Sequence, residues 1–253
     1  MPDLSGEHIQ AHVAAALAED IGEGDVTTNA LVDAQRRCQG HIVSREPLNY
    51  CGRDLIETVF QQLDAEAVIT HFHSDGDEVP AGAIIATIDA SARALLTGER
   101  TALNYAQRLS GVATQAARYV AAVSGTGVLL LDTRKTTPGW RDLEKYAVQC
   151  GGARNHRYGL DDMVMIKDNH LAALQGNNRI ASAIERCREA HPNLKIEVEA
   201  DTPIQARQAA ESRADIILLD NMTLDELRES VALIDNRSQI EASGGVTLDT
   251  IRD

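Results

Sequence analysis

In the second half of the chain, charged or small residues recur directly after short aliphatic runs. Asp132, Arg134 and Lys135 follow VLLL, Lys167 and Asp168 follow MVMI, and Glu199 follows IEV. Asp220 follows IILL, and Ser243, Gly244 and Gly245 follow IEA. If the runs are parallel strands, these residues stand at the carboxyl ends, where α/β folds build their ligand loops. Signs also sort along the chain: between Arg134 and His170 the cations Arg134, Lys135, Arg141, Lys145, Arg154, Arg157 and Lys167, with His156 and His170, outnumber the acids. That stretch reads as a local anion site. Glu199 and Asp220 come later, as two carboxylates suited to a hard cation such as Mg²⁺ together with hydroxyl or phosphate oxygens. SGG before a helix predicted to open at Thr247 offers backbone N–H groups to a phosphate. The implied ligands are a polyanion, a metal and a phosphate.

Several of these features have plainer readings. TRKTTPGWR could be a solvated basic loop, and His156 and Arg157 could sit at a helix end favoured by the macrodipole. Asp161 and Asp162 read as residues that cap or terminate a helix. His71 and His73 alternate on a strand without a third ligand, which points to surface residues rather than a metal site. Gly151-Gly152 fits a turn as well as it fits a phosphate loop. The recurrence over five successive strand ends favours a functional reading of the set.

The elements that must position these residues follow from periodicity. MPDLSGEHIQAHVAAALAED reads as an amphipathic helix, and EDIGEGDVTTNAL as a loop with turn and cap residues. From about Arg37 to Ala90, β-like runs (GHIVSREP, AVITHFHSDGDEV, AIIATIDA) surround one helical stretch near Leu55 to Leu63, predicting a small α+β domain. SARALLTGERTALNYAQRLSGVATQAARYVAAVSG predicts two or three helices, interrupted at Gly98 and Gly111. Beyond Gly127, VLLLDTRKT, MVMIKDN, KIEVEAD, ADIILLDN and IEASGGV alternate with WRDLEKYAVQ, RIASAIERCREA, PIQARQAAES and LDELRESVALI. This is the form of repeated βα units around a parallel sheet. The fold class is α/β, with a leading α+β domain over 1–107 and a barrel-like βα domain over 108–253.

Composition narrows the function. The 253 residues carry 43% hydrophobic but only 3% aromatic side chains, so the core must be aliphatic. A formal charge of −14 argues against a nucleic-acid or anionic-membrane partner, since both require a basic face. Cys38, Cys51, Cys150 and Cys187 lie far apart without a C-x-x-C pair, which predicts free thiols in a reducing compartment, the cytoplasm by default. The acidic N-terminus matches neither a signal peptide nor a membrane span.

RTALNYAQRLSG, LDTRKTTPGWRDLEKYAVQCGGARNHRYGLDDMVMIKDNH, VEAD, LLDN and EASGGV, with EDIGEGDVTT near the start, closely resemble the quinolinate phosphoribosyltransferases, or carboxylating nicotinate-nucleotide pyrophosphorylases. The resemblance covers nearly the whole chain in order. It implies an N-terminal α+β sandwich-like domain followed by an incomplete α/β barrel, assembled as a homodimer or a dimer-based oligomer. It also implies transfer of a phosphoribosyl group from 5-phosphoribosyl 1-pyrophosphate to quinolinate with decarboxylation. By motif, Arg134, His156, Arg157 and Lys167 would surround the quinolinate carboxylates, and Arg100 would reach a neighbouring subunit's site. Lys135, Glu199 and Asp220 would serve the donor and its Mg²⁺, and Ser243, Gly244 and Gly245 would receive a phosphate. Lys135, Lys167, Glu199 and Asp220 would be the catalytic set, with no organic cofactor.

The family pattern continues past TLDTIRD with a further strand, a phosphate-holding glycine and a terminal helix, whereas this sequence stops at Asp253. Other readings are a related pyridine phosphoribosyltransferase, a molybdenum-transport-associated paralogue of similar fold, or a non-catalytic binding protein. The cations Arg134, His156, Arg157 and Lys167 favour a dicarboxylate acceptor over a monocarboxylate.

Overall fold

A computed structural model describes residues 4–253. They form two compact units, the first ending at His156 and the second spanning Arg157–Asp253. Each has its own hydrophobic core, the first including the aromatic Tyr50, Phe60 and Tyr105, and among the described residues no helix is long and apolar enough to cross a membrane.

In the first unit, α1 (Gly6–Ile21) buries Ile9, Val13 and Leu17, the i, i+4, i+8 stripe of an amphipathic helix. The following segment, expected to be a loop, contains a short helix, α2 (Val26–Leu31). Asp25 starts it by accepting the Thr28 N–H at 2.9 Å, and its other oxygen accepts the Thr97 hydroxyl at 3.1 Å. Strands β1 (Arg37–Val43), β2 (Leu48–Asn49), β3 (Val68–His71), β4 (Glu78–Val79) and β5 (Ile84–Ser91) are separated between β2 and β3 by α3 (Arg53–Leu63). They pair antiparallel in the orders β1-β5-β3 and β2-β4, which bears out the small α+β region.

The expected two or three helices of the next segment are one, α4 (Ala92–Ala122), 31 residues long. Ser91 caps it by accepting the Ala94 N–H, and Gly98 and Gly111 do not break it. A Cβ on Gly98 would lie 2.7 Å from Leu63 Cδ1 and 3.2 Å from Val59 Cγ1. The glycine is therefore a contact surface against α3 rather than a helix end. Ala102, Tyr105, Leu109 and Ala113 carry the rest of the buried stripe of α4. Next comes VLLL, predicted as a strand, but it makes only an isolated bridge, Leu131 to Arg154. Helix α5 (Arg141–Cys150) closes the unit, burying Leu143, Glu144, Lys145 and Ala147.

The second unit is a βα array: β6 (Val164–Ile166), α6 (Asp168–Ala172), α7 (Arg179–Ala190), β7 (Ile196–Ala200), α8 (Pro203–Glu211), β8 (Ile216–Asp220), α9 (Leu224–Ile234) and β9 (Gln239–Ser243). Its four strands are parallel in sequential order, the form in which the expected incomplete α/β barrel is borne out. Ile196, Val198, Ile217 and Leu219 pack with Ile180, Ile184, Ala206, Ala209 and Ile234 from the helices, as a sheet covered by helices requires. Thr223 and Glu226 start α9 with reciprocal caps. Two local expectations fail. Residues 248–252 are turns closed by an Ile251 N–H to Thr247 carbonyl bond of 2.9 Å rather than an opening helix. Asp161 and Asp162 lie in an irregular segment, where Asp162 accepts the Tyr158 N–H at 2.7 Å.

Two further sequence readings are corrected in the first unit. The His71 side chain is only 3% exposed and its Nε2 lies 3.5 Å from Glu57 Oε2, so it is a buried residue rather than a surface one. For Gly151-Gly152 the turn reading holds and the phosphate-loop alternative gives way to packing: a Cβ on Gly151 would approach the Ala113 carbonyl to 2.3 Å.

Candidate active site

In the first unit the chemistry-bearing segments 132–137 and 154–156 are held by α5. Lys145, 1% exposed, places Nζ 2.6 Å from Asp132 Oδ1 and 3.1 Å from the His156 carbonyl. Asp132 also accepts the His156 N–H at 2.8 Å and Asn155 Nδ2 at 2.7 Å. A buried lysine needs a charged partner and satisfied donors. Here the satisfied partners are the segments that carry Arg134 and His156. Lys145 is therefore not one of the exposed cations that the sequence suggested.

A second buried acid, Glu144, fixes the following turn. Its carboxylate accepts Arg108 Nη2 at 2.6 Å, the Thr137 hydroxyl at 2.8 Å and the Thr137 N–H at 3.1 Å. Burial alone would raise its pKa, but these bonds hold it below the ordinary carboxylate value. The loop TRKTTPG is thus tied to α4 and α5, which argues against a free basic loop. Arg134 is half-buried, and its Nε is shielded from water without a hydrogen-bond partner. Such a donor costs about 1–3 kcal/mol until an acceptor meets it, as expected of a group that recognises an anion. Lys135 is exposed, as is Arg100 on α4.

In the second unit, the predicted residues at the ends of β6, β7 and β8 come together. Lys167 Nζ lies 3.1 Å from Glu199 Oε2. Carboxylate oxygens of Glu199, Asp201 and Asp220 all lie within 4.8 Å of one another. Asp201 was not anticipated. The signal was present in VEAD, since residues i and i+2 of a strand share a face. Three hard oxygen donors converging in this way suit Mg²⁺. Asp168, the other residue named after MVMI, instead opens α6 and is exposed.

The glycine loop adjoins this cluster. Asp220 is in register with Ser243 across β8 and β9, and the Asn221 N–H donates to the Ser243 carbonyl at 2.9 Å. Gly244 has φ +89° and a Cβ there would meet Asn221 Oδ1 at 2.2 Å, so both conformation and space require glycine. Gly245 follows at φ +65°. With no helix after it, the loop's own backbone is what could meet a phosphate. Arg157 lies in an irregular segment rather than at a helix end, with Nη1 donating to the Met163 carbonyl at 3.1 Å and Nη2 3.3 Å from Met165 Sδ.

Comparison with known proteins gives a consistent family match. The model of the quinolinate phosphoribosyl transferase N-terminal domain matches residues 25–110, and that of the C-terminal domain matches residues 112–253. The chain is 42% identical over 234 residues to a probable carboxylating nicotinate-nucleotide pyrophosphorylase of Bacillus subtilis, covering 92% of this chain and 80% of that protein. It is 40% identical over 241 residues to the carboxylating nicotinate-nucleotide pyrophosphorylase of Mycobacterium leprae, covering 92% and 84%. The crystal structure of NadC from Streptococcus pyogenes superposes with a TM-score of 0.94 at 39% identity, over 100% of this chain and 88% of that one. The nicotinate-nucleotide pyrophosphorylase structure from Francisella tularensis gives 0.92 at 36% identity, over 99% and 88%.

Proposed function

The chain belongs to the quinolinate phosphoribosyltransferase family, and we propose that it transfers the phosphoribosyl group of 5-phosphoribosyl 1-pyrophosphate to quinolinate, yielding nicotinate mononucleotide, carbon dioxide and pyrophosphate for NAD synthesis. The observation that carries this reading is the convergence of Lys167, Glu199, Asp201 and Asp220 at the ends of adjacent parallel strands. One cation beside three carboxylates answers a reaction that needs an anionic acceptor and a metal-bound donor.

The pyridine nitrogen forms a bond to the anomeric carbon as the bond from that carbon to pyrophosphate breaks. The ring nitrogen becomes cationic. The bond to the adjacent carboxylate then breaks, carbon dioxide leaves, and the electron pair remaining on the ring carbon takes a proton. That pair is stabilised by the neighbouring cationic nitrogen, so the chemistry needs no organic cofactor. The protein's task is to position two anions and neutralise them away from water.

Arg134, His156, Arg157 and Lys167 are assigned to the acceptor's carboxylates, with Lys167 also delivering the proton to the ring. Lys135 is assigned to the donor's pyrophosphate, Glu199 and Asp220 to its ribose and metal, and Ser243, Gly244 and Gly245 to its phosphate. Glu199 and Asp220, joined by Asp201, would hold Mg²⁺, which when bound supplies charge neutralisation of the leaving pyrophosphate. The carboxylates nearby favour the cationic character of the sugar. The proposal includes a cytoplasmic homodimer, with exposed Arg100 serving the second copy, and the division into domains 1–107 and 108–253.

The test is release of labelled carbon dioxide from carboxyl-labelled quinolinate when donor and Mg²⁺ are supplied together. Release that requires both supports the assignment. Phosphoribosyl transfer to a monocarboxylate without carbon dioxide would replace quinolinate by another pyridine, and no transfer at all would leave a binding protein.

A further inference from the structure

The first unit contains a cluster of donors that the transfer reaction does not use. Cys51 stands in the turn before α3, Asp75 in the turn between β3 and β4, and Cys150 is the last residue of α5. The two cysteines stand 99 positions apart in sequence, but both sulfurs and a carboxylate oxygen of Asp75 lie within 4.8 Å of one another. We propose that Cys51, Asp75 and Cys150 form a binding site for a soft divalent cation, Zn²⁺ foremost.

The donor set and its supports fit that role. Zn²⁺ takes thiolate at about 2.3 Å and carboxylate oxygen at about 2.0–2.2 Å in a tetrahedron. A contraction of the cluster by about an ångström therefore suffices. Each donor is held from behind. Asp75 Oδ1 accepts the N–H groups of Gly52 at 2.9 Å and Arg53 at 3.1 Å, and Oδ2 accepts the Tyr146 hydroxyl at 3.0 Å. Cys51 is fixed by Ser110, which accepts its N–H at 3.1 Å and donates to its carbonyl at 3.2 Å. Hydrogen bonding of ligands from outside is what keeps a metal site in shape. The backbone N–H groups at the start of α3 also offset part of the negative charge that two thiolates and a carboxylate would bring.

Cys51 is fully buried, whereas Cys150 and Asp75 are half-buried and leave a side for the ion to enter. The two thiols interact: contact with Cys150 and burial push the Cys51 thiol up, and contact with Cys51 pulls the Cys150 thiol down.

The experiment is a Co²⁺ titration of the full chain, reduced and stripped of metal, read by thiolate-to-cobalt charge-transfer absorption. One equivalent should saturate the band, and Zn²⁺ should bleach it. Cys150→Ala should abolish the band, and Asp75→Asn should weaken binding by about tenfold or more. Cys187→Ala should leave it intact. Circular dichroism of each variant separates loss of the site from loss of the fold, and Cys150→Ser offers a second, more polar replacement. Absence of the band in the reduced wild-type chain overturns the proposal, as does its survival in both folded Cys150 variants. Conversion of the pair to a disulfide in air, with no metal uptake before it, also overturns the proposal.

Discussion

Lys145 Nζ sits 2.6 Å from Asp132 Oδ1 in a pair whose side chains are 1% and 7% exposed. The same ammonium reaches the His156 carbonyl, so one buried charge holds together the two segments to which anion recognition is assigned. Replacing it by methionine leaves Asp132 buried without its cation. Lys145→Met should cost about 3–5 kcal/mol of stability in urea unfolding, and adding Asp132→Asn should recover part of it.

Arg134 presents a shielded, unpartnered Nε. Arg134→Ala should weaken quinolinate binding by about 2–5 kcal/mol in calorimetric titration, since a charge-assisted contact to a desolvated carboxylate is lost. Donor affinity should be retained. The opposite pattern would exchange the roles given to Arg134 and Lys135.

At the strand ends of the second unit, Asp220 should act on the donor and Lys167 on the acceptor. Asp220→Asn should reduce Mg²⁺ affinity by about 10- to 100-fold and raise the donor KM, with quinolinate binding preserved. Lys167→Met should lower turnover by about 100-fold or more if the lysine delivers the ring proton. Full turnover in that variant would remove it from the chemistry.

Gly244→Ala should disturb the glycine loop twice, by a side chain at positive φ and by its collision with Asn221. A loss of about 1–3 kcal/mol is expected, together with a raised donor KM. Gly139→Ala, also at positive φ but in open space, shows the backbone part alone.

His71 gives a pH dependence of stability. Burial depresses its pKa below the ordinary value, with Arg53 acting in the same direction and Glu57 and Asp54 against it. The folded state then binds fewer protons than the unfolded chain. Its contribution is complete above about pH 6.5, the ordinary histidine value, and is lost as pH falls from there through the depressed pKa. His71→Gln should flatten that part of a stability profile measured by urea unfolding between neutral and mildly acidic pH.

The βα array was legible because its aliphatic runs are bounded by polar strand ends and those of β6, β7 and β8 are followed by helical segments, and Lys167, Glu199 and Asp220 meet as their positions implied. What the sequence hid was tertiary. Lys145 looks like any helix cation until Asp132 turns it inward. VLLL has the composition of a strand but makes one bridge, because strand composition does not supply partners for backbone groups. Gly98 and Gly111 suggested helix ends by propensity, a preference that burial of the α4 stripe outweighs. Cys51 and Cys150 meet through packing that no local spacing announces.

An uninterrupted α4 links two distant contacts. Gly98 and Arg108 stand ten residues apart on one rod, about 15 Å by helical rise. Gly98 faces Leu63 and Val59, and Arg108 holds the turn at Thr137 both directly and through Glu144. Bulk added at position 98 should displace α4 against α3, and the TTPG turn bonded to Arg108 should shift with it. A substitution at position 98 would thus reach the proposed site from outside it.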